Sequence, residues 1–280
     1  MILERIKQKV GFGVLFFATL LVAVPVLLII WLIISKGWSA LSWEFLLTMP
    51  KEGMRAGGIF PAIVGTFYLV VVSIAFALPI GVMAAIYLGE YARDNFLTRI
   101  INLAIVNLAG VSSVVFGLFG MSLFVAFLKF GVSILSGALT LGIMTLPVII
   151  TTTREALRTV PRSFREVSFS LGASRWQTIR HAVLPSALPG ILTGAILSVG
   201  RVAGETAPIL FTVAAFYLPR LPHSLSDQAM ALPYHLYVVT TQVPGISEPY
   251  RYGTALVLIG LVLIVNISAV VIRTRFRRIK

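Results

Sequence analysis

Residues 190–216 read GILTGAILSVGRVAGETAPILFTVAAF, and Arg201 and Glu205 are the only charges in the run. Its length fits a bilayer crossing, which takes about 20 apolar residues. A charge near the midplane costs roughly 2.5–3.5 kcal/mol on insertion scales, so two in one segment need a reason. At i and i+4 the two side chains are neighbours on one helix face. The flanking Gly194, Ala195, Gly200, Ala203, Gly204 and Ala207 are small, which permits close helix contact. Pro208 removes a backbone hydrogen bond and leaves the Gly204 carbonyl without its usual partner. Such distortion is tolerated beside buried protein or a water-filled cavity. A guanidinium matches a tetrahedral oxyanion bidentately, so Arg201 is suited to attract or bind one. Glu205 would orient Arg201 or accept a hydrogen bond from a protonated oxyanion, and Thr206 adds a neutral hydroxyl. Two readings stand: a site on the path of a charged solute, which is the default for intramembrane ionisable groups, or an ion pair that stitches helices together.

The rest of the chain agrees with a membrane solvent. Of its 280 residues 58% are apolar and only 12% charged, against about 25% charged in soluble domains. Six segments are long and apolar enough to cross: 12–34, 60–88, 100–128, 133–151, 190–215 and 254–272. They predict an all-α integral membrane protein, a single polytopic domain over 1–280, with loop 152–189 between its fourth and fifth helices. The first segment follows Arg5, Lys7 and Lys9; its core is too long for a signal peptide and no small-residue cleavage site follows it, so it reads as a retained helix. Counting Lys and Arg over the connecting segments gives sixteen on the side of the termini and six on the other. The positive-inside rule then places both termini in the cytoplasm. The net charge of +13 is accounted for by that bias, with no call for nucleic acid. Cysteine is absent, which excludes thiol catalysis and thiolate metal sites. His181, His223 and His235 are too scattered for a zinc site. No nucleophile–base pair stands out.

Outside the crossings, loop 35–58 carries Trp38 and Trp43, residues suited to the interface belt. Loop 217–253 is rich in proline and aromatic rings, including Tyr217, Pro219, Pro222, Pro233, Tyr234 and Tyr237. It is expected to pack over the outer mouth. Pro79 and Pro147 fall inside the second and fourth crossings, where kinks are expected. Asn102, Asn107 and Asn266 are polar groups in apolar runs and are candidates for interhelical hydrogen bonds.

Residues 161–189 read PRSFREVSFSLGASRWQTIRHAVLPSALP. Pro161 suits the first turn of a helix, and Phe164, Val167, Ser168 and Leu171 then share one face. Gly172 can take the left-handed conformation that ends a helix. Ser174, with Gln177 three residues on, has the form of a capping box for a second helix. Leu184-Pro185 is expected to close that second helix before the next crossing. The pair of short helices would project from the membrane, or lie on the lipid surface held by Arg162, Arg165, Arg175 and Arg180.

This loop resembles the cytoplasmic loop of bacterial ABC importer permeases, whose form is Glu-Ala-Ala, three residues, Gly, nine residues, Ile, one residue, Leu-Pro. Here it stands as Glu166-Val167-Ser168, Gly172 followed by Ala173, then Ala182 and Leu184-Pro185, with every spacing kept. The resemblance implies a coupling helix seated in a groove of a separate ATPase. The stretch Gly200-Arg201-Val202-Ala203-Gly204-Glu205-Thr206-Ala207-Pro208 resembles the signature of phosphate-specific ABC importer permeases, with Ala-Pro typical of the A-type subunit. Ala109 to Gly120 resembles the third-helix motif of that family, departing at Ser112, where a proline is usual; Met230-Ala231-Leu232-Pro233 through Tyr237 also agrees. The family motif places Ser112 and Ser113 beside the cavity wall.

What the resemblance implies is a type I importer permease of the bacterial inner membrane that moves phosphate inward by alternating access. Its partners would be a second, homologous permease subunit, a dimeric ABC ATPase and an extracytoplasmic phosphate-binding protein. The chain has no Gly-x-x-x-x-Gly-Lys-[Ser/Thr] loop, so ATP and Mg would be held by the partner ATPase. No cofactor or metal is expected on this chain, and it is not itself an enzyme. Alternatives from other classes are a membrane scaffold or signalling subunit that anchors the ATPase, a permease for another oxyanion, and a passive anion channel, against which the coupling loop argues.

Overall fold

A computed structural model describes residues 2–278. The side chains of Arg5, Lys7, Lys9, Arg273, Arg275, Arg277 and Arg278, and all of Lys280, lie outside what it describes, so these members of the charge count have no structural counterpart here. Among the described residues, five helices are long and apolar enough to cross a membrane, and six if one bent pair is a single span.

Helix α1 (Ile2–Gly37) packs along α12 (Glu248–Arg278), and from Gly11 on it is otherwise largely exposed. The crossing is close at Gly37, where a Cβ would lie 2.6 Å from the carbonyl oxygen of Tyr252. A short helix α2 (Trp43–Leu47) follows, its Ser42 hydroxyl accepting from the Phe45 amide at 3.1 Å. Strands β1 (Pro50–Lys51) and β2 (Ala56–Gly57) then pair antiparallel. Pro61 opens α3 (Phe60–Ile86), which continues into a π-helical turn over Tyr87–Tyr91.

The third expected segment is not one helix. It is α4 (Phe96–Ala109) and α5 (Ser113–Gly120), with a further π turn to Phe127, bent by 106°. Ser112, at the bend, has φ −62° and ψ 142°, the conformation that a proline ring would fix. A serine thus holds this bend without a proline.

Helix α6 (Ile134–Arg158) is the axis of the bundle, longer at its far end than the apolar run alone indicates. Pro147 is buried inside it, and Pro79 lies inside α3. Close approach depends on absent side chains. A Cβ at Gly81 of α3 would lie 2.6 Å from Ile149, and one at Gly142 of α6 would lie 2.7 Å from Phe76. On the other side α9 (Leu184–Gly204) approaches through Gly190 against Ala156 and Gly194 against Thr152, at 2.4 and 2.0 Å from an added Cβ. Ser133 caps α6, accepting from the Ser136 amide. Two more amides of its first turn are met by the 217–253 segment: Ile134 donates to Asp227 O at 2.8 Å and Leu135 to Leu225 O at 2.9 Å. In that segment α11 (Leu232–Thr241) is largely buried and is tied to α3 by the Leu232 amide, which donates to Thr66 Oγ1 at 2.8 Å. Its proline- and aromatic-rich sequence therefore builds packed structure at that end of the bundle. The largest apolar cluster lies there, around Leu69, Leu141, Met144, Val202, Ile209 and Leu232. A second cluster, with Ile86, Leu157, Val160, Ile179 and Val183, lies at the end that carries the 161–185 loop.

Candidate functional site

The helix that carries Arg201 does not run to the end of the expected 190–215 crossing. α9 ends at Gly204, Glu205 turns extended (φ −76°, ψ 137°), and α10 (Ala207–Thr212) begins with Pro208 in its first turn. Arg201 and Glu205 therefore do not share a continuous helix face. Arg201 sits in the last turn of α9, where the helix dipole favours a cation, and Glu205 is the residue that leaves it. Their side chains still meet, Arg201 Nε donating to Glu205 Oε1 at 3.5 Å, the outer limit of a hydrogen bond. Solvent reaches 32% of the arginine and 19% of the glutamate side chain. Thr206 stands at the entry to α10 without a side-chain capping bond and is half-buried. Asn266 of α12 lies against Gly200, its Oδ1 3.0 Å from an added Cβ.

Ser112 is exposed and Ser113 half-exposed, at the start of α5. Among the described residues no hydrogen bond joins either serine to Arg201 or Glu205. Their elements nevertheless touch: α5 packs on α10 through Gly117, whose Cβ would lie 3.1 Å from both Ala207 O and Pro208 Cα. The bend of one span and the break of another are thus brought to the same side of α6.

At the opposite end, α7 (Arg162–Ser170) and α8 (Arg175–Thr178) form the projecting loop. Pro161 precedes α7 as its cap and is not its first residue. Phe164, Glu166, Val167, Phe169 and Leu171 are exposed, and so is Trp176. Ser168 turns inward, its hydroxyl 2.8 Å from that of Thr178. Gly172 has φ +78°, a conformation that costs an L side chain roughly 1–2 kcal/mol, and the half-buried Ala173 donates its amide to Ser168 O at 3.2 Å. Ser174 and Gln177 form the reciprocal capping box.

Leu184-Pro185 does not close the second helix. From Arg175 to Gly204 the chain is one helical stretch of 30 residues, interrupted only by a π-helical turn at Ile179–Val183. The wider turn leaves the ladder one bond short, and Pro185, which has no N–H to donate, follows directly in the first turn of α9. Leu184 is half-buried and Pro185 exposed.

Two contacts have no counterpart in the sequence reading, and a third is the interhelical hydrogen bond expected of Asn102. Arg165 of α7 reaches Glu90 in the turn after α3, with Nη2 2.7 Å from Oε1, and also donates to the carbonyls of Val160 and Leu157 at 3.0 Å each. Arg175 of α8 lies over the ring of Tyr91, 5.1 Å from its centroid. Arg154 donates to Asn102 Oδ1 at 2.6 Å, tying α6 to α4. A glutamate closing an apolar run, within a chain so rich in arginine, was the signal available for the first.

The profile of the family described as "Binding-protein-dependent transport system inner membrane component" matches residues 77–278. The chain belongs to that family. It is 34% identical over 280 residues to the probable ABC transporter permease protein YqgI of Bacillus subtilis, covering 95% of each chain. It is 36% identical over 283 residues to the phosphate transport system permease protein PstA 1 of Mycobacterium tuberculosis, covering 99% of this chain and 91% of that one. Among solved structures, a bacterial ABC transporter involved in alginate import matches with a TM-score of 0.66 at 14% identity, covering 97% and 99%. The inward-facing MetNI methionine transporter matches at 0.60 and 17%, covering 78% and 94%. The fold is that of an ABC importer permease, and this family member is a multi-pass inner-membrane transport subunit.

Proposed function

We propose that this family member is the A-type permease subunit of an ATP-driven phosphate importer, with Arg201 as the group that meets the anion in the membrane. The observation that carries the reading is the Arg201–Glu205 pair at a helix break. A half-exposed guanidinium beside irregular backbone can offer donors to a tetrahedral oxyanion, and the 3.5 Å contact with Glu205 is loose enough to be exchanged. Glu205 would hold Arg201 between anions and keep the site from retaining phosphate; Thr206, Ser112 and Ser113 would add hydroxyls along the path. The likeness to PstA 1 over nearly the whole chain supports phosphate as the anion.

The exposed apolar residues of α7 and α8 support docking over lipid adhesion, because they lie on two short helices separated by the turn at Gly172 and not along one continuous amphipathic face. In this reading Phe164, Glu166, Val167, Ser168, Gly172, Ala173, Leu184 and Pro185 form the element that meets a dimeric ATPase, which holds ATP and Mg. A second permease would complete the pathway and a phosphate-binding protein would load it from outside, with both termini of this chain in the cytoplasm. Alternating access follows: ATP draws the two coupling loops together and opens the cavity outward, and hydrolysis releases phosphate inward.

The test is labelled phosphate uptake in phosphate-starved cells lacking the native chain, comparing the parent with Arg201→Ala and Gly172→Asp. Arg201→Ala should abolish uptake while the complex still assembles, and Gly172→Asp should abolish it by loss of the ATPase. Uptake equal in all three would refute both assignments and leave a scaffold.

A further inference from the structure

We propose that the Tyr87–Tyr91 turn at the end of α3 is the joint that passes movement of the coupling loop into the membrane helices, with Arg165 and Glu90 as its positioning residues. The inference rests on the reading of α7 and α8 as the ATPase-docking element.

Four hydrogen bonds converge on one guanidinium. Arg165 holds both carboxylate oxygens of Glu90, at 2.7 and 3.4 Å, and the carbonyls of Leu157 and Val160 at 3.0 Å. Its side chain is 20% exposed and that of Glu90 is 12% exposed, the most buried of the ion pairs among the described residues. Arg99 with Asp94 and Arg158 with Glu155 are exposed pairs within single local stretches, and the exposed Lys36–Glu248 pair joins α1 to the start of α12 only. Arg165 instead links three elements: α7, the last turn of α6 and the turn that ends α3. A bidentate arginine–carboxylate pair fixes orientation as well as distance, so α7 cannot turn without carrying both helices.

The second half of the loop grips the same turn, one residue on, through Arg175 over Tyr91. Both coupling helices therefore meet a single five-residue π-helical turn, YLGEY. Beyond it α3 runs as a single helix of 27 residues. α3 and α6 lie against each other through Gly81 and Gly142, and at its far end α3 holds α11 by the Thr66–Leu232 hydrogen bond. A displacement entering at Glu90 is delivered to the opposite end of the bundle by rigid elements rather than by loops. The exposed faces of Phe164 and Val167 remain free for the ATPase, because the joint uses the inward side of α7.

The test uses the complete reconstituted complex and measures ATP hydrolysed per phosphate carried. Glu90→Gln and Arg165→Gln should each raise that ratio at least about tenfold, the scale of losing one charge-assisted hydrogen bond, while the ATPase stays bound. The chain contains no cysteine, so the double variant Glu90→Cys with Arg165→Cys can be bridged by a short reducible bis-methanethiosulfonate linker. A surface hollow of about 360 Å³ beside Arg165, lined by Arg158, Arg162, Glu166 and Phe169, gives the reagent access. Bridging should return the ratio to the parent value, and reductant should raise it again; a folding defect would not follow the linker. A parent ratio in both Gln variants overturns the proposal, and so does a double variant that bridging leaves uncoupled. If the ATPase fails to co-purify with the parent chain, the docking reading itself falls, an outcome separate from either of these.

Discussion

Gly120→Ala is a direct test of the bent third span. Gly120 ends α5, and a Cβ there would lie 2.1 Å from Thr140 Oγ1, 2.6 Å from its Cγ2 and 2.9 Å from its Cβ, where ordinary contact begins at 3.4 Å. Thr140 is fully buried and its hydroxyl donates to Ser136 O at 2.7 Å, so the side chain cannot rotate away without losing that bond. Overpacking of this kind costs about 1–3 kcal/mol, and a stranded hydroxyl adds about 1 kcal/mol or more. Replacing a helical glycine by alanine returns about 1 kcal/mol. The net expectation is a loss of about 1–3 kcal/mol. Thr140→Ala removes the two nearest atoms and leaves only the contact at 2.9 Å. The double variant should therefore be more stable than the sum of the singles by about 1 kcal/mol or more, the coupling expected of residues in contact. The assay is reversible denaturant unfolding of the purified chain in detergent for parent, both singles and the double. Additive losses would refute the packing of α5 on α6, and with it the position of the bend at Ser112.

Two further outcomes are expected. At 3.5 Å, with solvent reaching both side chains, the Arg201–Glu205 pair is worth about 1 kcal/mol. Glu205→Gln should then let phosphate hold Arg201 about fivefold more tightly and leave more slowly, read in reconstituted transport as KM and kcat falling together; a rise in KM would assign Glu205 to keeping Arg201 in place. His235 in α11 is buried with neither ring nitrogen partnered, and desolvation pushes its pKa down from 6.5 to about 4. Because the unfolded chain takes up the proton first, stability is unaffected above pH 6.5 and falls as pH drops towards 4. The slope is up to about 1.4 kcal/mol per pH unit. His235→Leu should flatten unfolding free energy over that window, and an unchanged slope would exclude His235 as its source.

Local chemistry was legible where one residue type forces one conformation. Gly172 at φ +78° and the Ser174–Gln177 box are readable from spacing because few alternatives satisfy a helix end. The break after Gly204 was half legible: Pro208 announces a lost hydrogen bond, but a proline inside an apolar run fits a kink as well as a new helix start. Proline alone does not decide, since Pro147 sits in an unbroken α6 and Ser112 makes a 106° bend without one. What coincides with the two breaks is a glycine at the helix end, Gly110 capping α4 and Gly204 closing α9, each with no other element within 4 Å of an added Cβ. The Arg165–Glu90 joint was not legible, because its partners are 75 residues apart and each arginine in the loop equally satisfies the positive-inside rule. Nor was the continuity of α8 with α9, because a π-helical turn has no residue signature strong enough to oppose Leu-Pro.

The two irregular spots carry a consequence for the assembled transporter. Backbone freed from a helix at membrane depth must be covered by protein or face water. In this chain Ser112 and Gly204 are exposed, and Glu205 and Thr206 are half-exposed. α5 and α10 bring the bend and the break together on one side of α6, while α3 and α9 are sealed against α6 through glycine contacts. The polar, uncovered backbone is therefore gathered beside Arg201 at the end of α9, beyond the Gly190 and Gly194 contacts that pack this helix on α6. A lipid-facing surface would place these groups in hydrocarbon, where each unsatisfied group costs several kcal/mol. The side that carries Arg201, Glu205 and Ser112 is thus the side that must face water or be covered by protein.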